Sequence, residues 1–388
     1  MKIVMLNSGI PNPRRRKRLL IEKRIGDVTL VCWDRSAHGV TSEQAEGCRV
    51  HCIQCAAQPG AAYHLIERSL AEKKFAKRAE EIIAKIQPDI IHAENLDMLR
   101  IACTIKRRWI PNVSILYEIP DLHALLVDKQ RNPVKMAAQQ YLLWLERRCC
   151  RQIDRLIITS PKFYDSHFKK FVPQQKVLFL PNMPNLKAFE AYRRKDGESP
   201  FTVGFIGQML YMEQMQYMLE ACRRNNLNML AAGFEADRSG KFERACKAYD
   251  RCEWIGRFEF ARQAAELYGK CDLIYLVYNA DWFNVQVLLP NKLYEAILCE
   301  VPVVVAKGTY LAELVEGMGV GVSVNHKDPE EIAEVIGRLS LRQDDYWRMV
   351  SSCKKNKDML KPEQYNALFE TCLLECGAGH GQQVEESK

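Results

Sequence analysis

Short apolar segments alternate with longer amphipathic ones along most of the chain. In the first half the apolar runs predict buried strands at Lys2–Leu6, Val28–Trp33, Arg49–Ile53, Asp89–His92, Val113–Tyr117, Arg155–Thr159 and Val177–Leu180. The segments between them have helical periodicity, and the longest, Ala61–Ile86, ends before Pro88. Strands that alternate with helices in this way predict a parallel sheet covered on both faces.

A second alternating series begins near residue 201. Its predicted strands are Phe201–Ile206, Asn228–Ala231, Cys252–Ile255, Asp272–Val277, Val301–Val305 and Val320–Val322. We therefore predict an α/β protein with two doubly wound, Rossmann-like domains that face each other across a cleft, where the carboxyl ends of the strands bind ligands. The predicted organisation is an N-terminal domain at 1–185, a linker at 186–200, a second domain at 201–341, C-terminal helices at 342–377 that pack back on the first domain, and a tail at 378–388.

Composition restricts the class of protein. With 388 residues, 47% of them hydrophobic and 27% charged, the chain is long enough for two globular domains. No apolar run reaches the roughly 18 residues of a membrane span, and the basic cluster follows the apolar N-terminal segment, the wrong order for a secretory signal. The fifteen cysteines are an odd number. We therefore expect reduced thiols and a cytoplasmic protein.

The formal net charge is +8, and basic residues cluster at Arg14–Arg18 and again in the stretch from Lys73 to Arg78. Such clusters attract phosphorylated ligands, anionic membranes or nucleic acid. We interpret both as solvated helix faces. Because no nucleic-acid-binding motif accompanies the charge, we expect no nucleic-acid partner.

The run 289–305 combines features that suit a nucleoside diphosphate. Its Pro290-Asn291 pair predicts the start of a helix, and Lys292 and Glu295 then lie on one face of that helix. Free backbone N–H groups at a helix N-terminus, beside a lysine, form a ready phosphate site. A carboxylate one turn further along can accept hydrogen bonds from both hydroxyls of a ribose. The segment therefore predicts a donor-nucleotide site.

The same run resembles the Pro-Asn-Lys-Leu-Tyr/Phe-Glu donor motif of glycosyltransferase family 4, especially its bacterial capsule and exopolysaccharide branch. Further segments that resemble the family's strand-end and loop motifs are 88–93, 117–123, Glu146 with 154–160, 180–182, 201–207, 254–257 and 264–277. The similarity covers about Met1–Leu339. The block Pro290–Glu295 is its most specific part.

The resemblance implies a GT-B fold and retaining, metal-independent transfer of a sugar from a nucleotide donor, with uridine as the default base. No Asp-x-Asp motif is found at a predicted strand end, and we expect no cofactor and no bound metal. By the resemblance, Glu295 binds the donor ribose, while Lys292 and the backbone amides of Asn291 and Gly207 hold the diphosphate. The implied donor-binding residues are Gly207, Gln208, Gly256, Arg257, Pro290, Asn291, Lys292, Leu293 and Glu295.

In the N-terminal half, the resemblance implies that Asp121 is a catalytic residue that touches the sugar or the acceptor, assisted by His123. An N-cap role for Asp121 and a packing role for His123 are the alternatives. Arg14 and Arg15 follow the first strand and are acceptor-side candidates, with His92 as a further one. The expected acceptor is a growing surface glycan or a polyprenyl-diphosphate-linked glycan, reached at the inner membrane face through the basic helices.

The chain also departs from the family's pattern. Val287 occupies the position where many members carry a second glutamate, eight residues before the ribose-binding one. Gln208 and Glu213 lie about where an arginine and a lysine often follow the first glycine of the second domain. The positive charge that neutralises the donor's phosphates would then come from Lys292, with Arg257 as a second source. The contacts to the sugar are therefore expected to differ from the family's.

Other interpretations compete with sugar transfer. Cys48, Cys52 and Cys55 have the spacing of a radical S-adenosylmethionine cluster motif, but the residue before the last cysteine is not aromatic, and we reject the cluster. Glu118 and Asp121 could form a carboxylate pair for hydrolysis. A nucleotide-sugar epimerase of the same architecture and a catalytically silent partner subunit remain open.

Overall fold

The computed structural model describes residues 1–35, 39–41, 43–55, 64–195, 199–358 and 360–378. Within these residues the chain forms two units, Met1–Pro181 with the C-terminal residues from Glu363 onward, and Asn182–Pro362. Each unit has its own parallel sheet and its own core. None of the described helices has the length and apolar character needed to span a bilayer.

The first unit is built on seven parallel strands. They are β1 (Lys2–Asn7), β2 (Asp27–Asp34), β3 (Arg49–Gln54), β4 (Ile90–Glu94), β5 (Ser114–Ile119), β6 (Arg155–Ile158) and β7 (Val177–Phe179). The accompanying helices are α1 (Pro13–Ile25), α2 (His64–Ile86), α3 (Asn95–Arg108), α4 (Ala124–Val127), α5 (Pro133–Cys150) and α6 (Pro161–Ser166). The strand order is β3-β2-β1-β4-β5-β6-β7, so the carboxyl ends of β1, β4 and β5 lie side by side.

The second unit repeats this plan with six strands. They are β8 (Thr202–Met209), β9 (Asn228–Glu235), β10 (Cys252–Gly256), β11 (Leu273–Leu276), β12 (Val303–Ala306) and β13 (Gly321–Val324), in the order β10-β9-β8-β11-β12-β13. Its helices are α7 (Met212–Arg224), α8 (Lys241–Lys247), α9 (Phe260–Gly269), α10 (Phe283–Val287), α11 (Asn291–Leu298), α12 (Tyr310–Met318), α13 (Pro329–Ser340) and α14 (Asp344–Lys357). The pairing is parallel throughout.

Local sequence explains where several helices begin. The side chain of Asn12 accepts a hydrogen bond from the backbone of Arg15 and precedes Pro13, the first residue of α1. Asp328 does the same for α13, which also begins with a proline. An N-cap acceptor satisfies one of the free backbone N–H groups of the first turn, and proline at the first helical position has no N–H to satisfy.

The two C-terminal helices belong to different units. We expected all of 342–377 to pack on the N-terminal domain, but α14 packs on α11 and α12 and buries Tyr346, whose hydroxyl donates to the Asp272 carbonyl. The final helix, α15 (Pro362–Ala378), contributes Phe369 and Leu373 to the core of the first unit. A sequence pattern gives the apolar face of each helix but not the sheet on which it packs. The expected tail lies outside the described residues except for Ala378.

The segment expected to be a linker packs on the second unit. Ala188 and Phe189 are buried in its core, and the hydroxyl of Tyr192 donates to the Cys299 carbonyl. The ammonium of Lys195 forms an ion pair with Asp272 at 2.5 Å. The chain therefore passes from one unit to the other at Pro181, earlier than we expected, because apolar side chains within this charged stretch are buried. Residues 196–198 lie outside the described part.

Candidate functional site

The N-terminus of α11 faces the end of β8 in the second unit. A Cβ atom placed on Gly207 would lie 2.8 Å from Cε and 3.0 Å from Nζ of Lys292, so the amine rests directly against the glycine backbone. The ammonium also lies 5.4 Å from the centre of the Phe205 ring. The fold therefore places a positive charge beside the first turn of a helix, where backbone N–H groups have no intrahelical acceptors.

Glycines make this close approach possible. Gly207 has a φ of +133° and Gly233, its partner on β9, a φ of +141°. A Cβ on Gly233 would lie 1.8 Å from the Gly207 carbonyl oxygen. Residues with side chains rarely adopt these backbone angles and would clash at both positions. Near their carboxyl ends the two strands thus present bare backbone that a ligand can approach.

Glu295 is fixed by two hydrogen bonds within the second unit. Its side chain is 2% exposed. One carboxylate oxygen accepts the Tyr268 hydroxyl at 2.7 Å, and the other accepts the side-chain amide of Asn291 at 2.6 Å. Burial and the adjacent Glu295 charge raise the pKa of Tyr268, so its hydroxyl stays a donor.

A pocket of about 500 Å³ lies beside these glycines, at the ends of β9 and β10. Gly256 and Arg257 line it, together with Trp254 and Phe234. The guanidinium carbon of Arg257 lies 4.0 Å from the centre of the Phe234 ring, a cation–π distance that holds the arginine over an aromatic face. The pocket has the flat aromatic and cationic groups that suit a nucleobase next to a phosphate.

The remaining predicted donor residues have different surroundings. Gln208 is exposed next to Gly207, and Pro290 is the N-cap of α11. Leu293 is fully buried in the core, and its backbone N–H donates to the Pro290 carbonyl. Its role is therefore to anchor the helix. Val287 ends α10 and is 8% exposed, so the family's second carboxylate is replaced by a packed apolar side chain.

In the first unit, arginines of α1 meet carboxylates at the ends of β4 and β5. Arg15 binds Glu94 through two hydrogen bonds of 2.5 Å, and Arg14 approaches the same carboxylate at 3.0 Å. Glu118 lies 3.8 Å from Arg14 and 3.3 Å from Arg18. Burial opposes the charge of Arg14, but Glu94 and Glu118 outweigh it and raise the pKa of Arg14. These arginines are bound to carboxylates of the same unit.

The solvated-face interpretation of Arg14–Arg18 is therefore wrong. Arg18 is 6% exposed, and its guanidinium also donates to the Leu180 carbonyl. The partners Glu94 and Glu118 come from distant strands, so the local pattern of α1 could not reveal them. The same interpretation is confirmed for α2, where Lys73, Lys74, Lys77 and Arg78 are all exposed.

His92 lies deeper in the same network. Its Nδ1 is 2.6 Å from Glu22 and its Nε2 is 3.0 Å from Glu118. Burial would lower the pKa of His92, but the two carboxylates outweigh it and raise the pKa to about 9. The imidazole is therefore protonated on both nitrogens and positively charged at neutral pH, and it holds Glu118 in place. Because His92 is only 2% exposed, it can position the arginines through Glu118. Direct contact between His92 and an acceptor stays a prediction.

Asp121 and His123 lie in the short segment between β5 and α4, and both are exposed. Asp121 is close enough to Arg14 to add to the negative field around it. The N-cap of α4 is His123, whose Nδ1 accepts the backbone N–H of Leu125 at 3.2 Å. The N-cap alternative for Asp121 is therefore wrong, and its catalytic role stays a prediction.

Glu118 is not suited to be the general acid of the carboxylate pair considered for hydrolysis. Burial alone would raise the pKa of Glu118, but Arg18, His92 and Arg14 outweigh it and hold the pKa well below its ordinary value. A carboxylate that stays ionised cannot donate a proton as a general acid. Across the described ranges, no group of three His, Cys, Asp or Glu side chains is arranged to hold a metal ion. Metal independence stays a prediction.

Comparison with known proteins identifies the class to which this fold and site belong. Residues 21–183 match a glycosyl transferase 4-like domain, and residues 200–341 match the glycosyl transferases group 1 domain. Only the first 20 residues, 184–199 and 342–388 fall outside the two matches. The chain therefore belongs to the family 4 glycosyltransferases of the GT-B fold.

One relative and several solved structures are similar to the chain. The succinoglycan biosynthesis protein ExoL of Rhizobium meliloti (strain 1021) is 27% identical over 282 residues, covering 66% of this chain and 64% of the relative. The sucrose-phosphate synthase of Thermosynechococcus elongatus has a TM-score of 0.74 at 15% identity, with 97% and 100% coverage. Anabaena HepE in complex with UDP has a TM-score of 0.70 at 14% identity, again with 97% and 100% coverage. At these identities the structures show the fold alone.

Several residues of the site were missed by sequence reasoning. We did not single out Tyr268, Phe205 or Gly233. Tyr268 donates a hydrogen bond to Glu295, and the Phe205 ring lies next to the Lys292 ammonium. Gly233 has no side chain, which allows the Gly207 carbonyl to lie close to it. Gly233 lies near the carboxyl end of an apolar strand, as Gly207 does, and this shared position was a usable signal. Tyr268 lies on the apolar face of α9, where an aromatic residue is usually part of the core.

Proposed function

We propose that this chain transfers a sugar from a uridine diphosphate sugar to a growing surface glycan or a lipid-linked acceptor. The observation that carries the proposal is the position of Lys292, held against Gly207 at the start of α11, with Glu295 one turn further along. This arrangement suits the diphosphate and the ribose of one nucleotide. The UDP and UDP-glucose complexes of Anabaena HepE support uridine as the base.

The proposed reaction breaks the bond between the anomeric carbon of the sugar and the diphosphate oxygen, and forms a bond between that carbon and the oxygen of an acceptor hydroxyl. The proton of this hydroxyl leaves with the diphosphate. Lys292 and the first backbone N–H groups of α11 stabilise the negative charge that develops on the leaving diphosphate. Glu295 holds the ribose, and Tyr268 and Asn291 keep its carboxylate in place. Positioning and charge stabilisation then supply the catalysis, without a bound metal ion and with retention of the anomeric configuration.

The similarity to the succinoglycan biosynthesis protein supports an exopolysaccharide as the final product. Since that match spans less than two thirds of the relative, the acceptor is proposed by chemical class alone. A hydroxyl of a glycan carried on a polyprenyl diphosphate is the acceptor that we propose.

The test is transfer of labelled sugar from a panel of UDP-sugars to lipid extracts that contain polyprenyl-diphosphate-linked glycans. We expect a labelled lipid whose new linkage has, by NMR, the same anomeric configuration as the donor, and whose formation persists in EDTA. The site variant is Lys292→Ala. Its control is Asn225→Ala, which also truncates a polar side chain of the second unit, at the C-terminal end of α7. Epimerised donor without transfer, or no turnover of any sugar nucleotide, would overturn the proposal.

A further inference from the structure

Helix α5 exposes several large apolar side chains. Val134 is 78% exposed, Tyr141 57% and Trp144 53%. These residues recur at intervals that place them on one face of the helix, and the Tyr141 and Trp144 rings stack with their centres 6.1 Å apart. Met136, elsewhere on the same helix, is 49% exposed as well. This apolar face of α5 contrasts with the buried face that carries Glu146 and Cys149.

Positive charge surrounds the apolar face of α5. In residues 128–151 the basic side chains are Lys129, Arg131, Lys135, Arg147, Arg148 and Arg151. All six are exposed. The two acidic residues of this stretch are Asp128 and Glu146, and Glu146 is buried, where it accepts hydrogen bonds from Tyr117 and His167. The exposed surface is therefore strongly cationic.

A basic pocket adjoins the same face. It has a volume of about 230 Å³ between α3 and α5, and Arg100, Arg107 and Arg148 line it with Trp144. The guanidinium carbon of Arg148 lies 5.4 Å from the centre of the Trp144 ring. Arg100 is also paired with Glu72, which leaves Arg107 and Arg148 as the main cations of the pocket. Arginines beside a tryptophan suit a phosphate group at the boundary between water and hydrocarbon.

From these observations we propose that the apolar face of α5 and its flanking cations form a docking surface for a membrane that contains anionic lipids. Tyrosine and tryptophan favour the level of the lipid headgroups, and lysine and arginine are attracted to the negative surface. If a second copy of the chain bound here, two cationic surfaces would face each other, and their repulsion disfavours such a dimer.

The docking surface is linked to the segment that carries Asp121. The side-chain amide of Gln139, on α5, donates to the carbonyls of Leu126 and Asp128, which end α4. Since α4 follows His123 directly, a bilayer on α5 would lie next to the segment proposed to meet a lipid-linked acceptor. Binding to a membrane does not depend on sugar transfer. The docking proposal and the proposed function can therefore fail independently of each other.

The experiment is co-sedimentation of the full chain with vesicles of phosphatidylcholine, with and without phosphatidylglycerol. We expect binding only when phosphatidylglycerol is present, and a decrease of binding with added salt. The double variant Tyr141→Ser, Trp144→Ser should bind at least about tenfold more weakly. Lys135→Gln with Arg148→Gln should lose a similar factor, because each cation near an anionic surface contributes about fivefold.

The matched control is Lys73→Gln with Lys74→Gln, which removes two exposed cations from α2 in the same unit. We expect it to bind vesicles as the wild type does. Unfolding midpoints of all variants should stay close to the wild type because the replaced side chains are exposed. Three results would overturn the proposal: no binding by the wild type, equal loss in the α2 control, or a dimer that dissociates only in the aromatic variant.

Discussion

Tyr268 donates its hydroxyl to Glu295 at 2.7 Å, from a different helix and inside the core of the second unit. Asn291 holds the other carboxylate oxygen. A buried carboxylate with a fixed orientation is suited to two neighbouring hydroxyls of a ribose. Tyr268 therefore acts as a positioning residue for the proposed donor site.

Replacing this tyrosine should separate positioning from simple packing. We expect Tyr268→Phe to lower the free energy of unfolding by about 1–3 kcal/mol, because one oxygen of a buried carboxylate loses its donor. It should also weaken UDP binding several-fold. The control is Tyr249→Phe, whose hydroxyl donates to the Cys222 and Leu227 carbonyls away from Glu295. Urea titrations should show that Tyr249→Phe is less stable than the wild type, whereas calorimetry should show the same UDP affinity. Equal affinity losses in both variants would contradict the assigned role.

The close approach of Lys292 to Gly207 makes a second prediction. Gly207→Ala should cost roughly 1–3 kcal/mol of stability from backbone strain, and should also displace the Lys292 amine and abolish most UDP binding. Gly319→Ala is the matched control, since its φ of +65° lies at the C-cap of α12. The control should lose stability alone. If UDP titrations gave equal affinities for both variants, the amine would not be part of the donor site.

The buried histidine predicts a pH dependence of stability. Because the folded pKa of His92, about 9, lies above its ordinary value, its stabilising contribution is complete below pH ~6.5 and is lost as the pH rises through about 9. The full effect amounts to about 3 kcal/mol. Urea titrations of the wild type and His92→Gln should therefore show a difference in unfolding free energy that shrinks over this range. A constant difference would show that the histidine is neutral when folded.

The pairing at the strand ends makes a fourth prediction. Glu94→Gln should destabilise the protein by roughly 3–5 kcal/mol, since Arg14 and Arg15 lose their shared buried partner. Glu370→Gln is the control, because its partner Arg24 is largely exposed and such pairs contribute at most about 1 kcal/mol. Denaturant unfolding of both variants measures the contrast. Similar small losses would mean that the network is open to water.

The sequence predicted the fold well because apolar periodicity is local. All thirteen described strands lie at predicted positions, and most ends differ by one to three residues. The short helices α4, α8 and α10 were not predicted, since four to seven residues carry too little periodicity. The destination of α14 was wrong for a different reason: its apolar face fits either sheet, and the choice depends on tertiary packing.

For the site, the motif identified Lys292 and Glu295, but not the residues that orient them. Tyr268 comes from another helix, and the distance between them is set by packing. The arginines of α1 illustrate the same limit, because their carboxylate partners lie 79 and 100 residues further along the chain. Local pattern alone therefore assigned Arg15 and Arg18 to a solvated face.

The most direct test of the donor site is calorimetric titration of UDP, GDP, ADP and CDP into the wild type, Lys292→Ala and Glu295→Gln. Lys307→Ala, whose amine pairs with Glu331 on the surface, is the control. We predict that UDP binds the wild type, that each site variant loses about tenfold or more, and that the control binds normally. Uridine should retain more of its affinity for Lys292→Ala than UDP does. If no nucleoside diphosphate bound the folded wild type, or if both site variants bound UDP as tightly as the control, the donor site would be wrongly assigned.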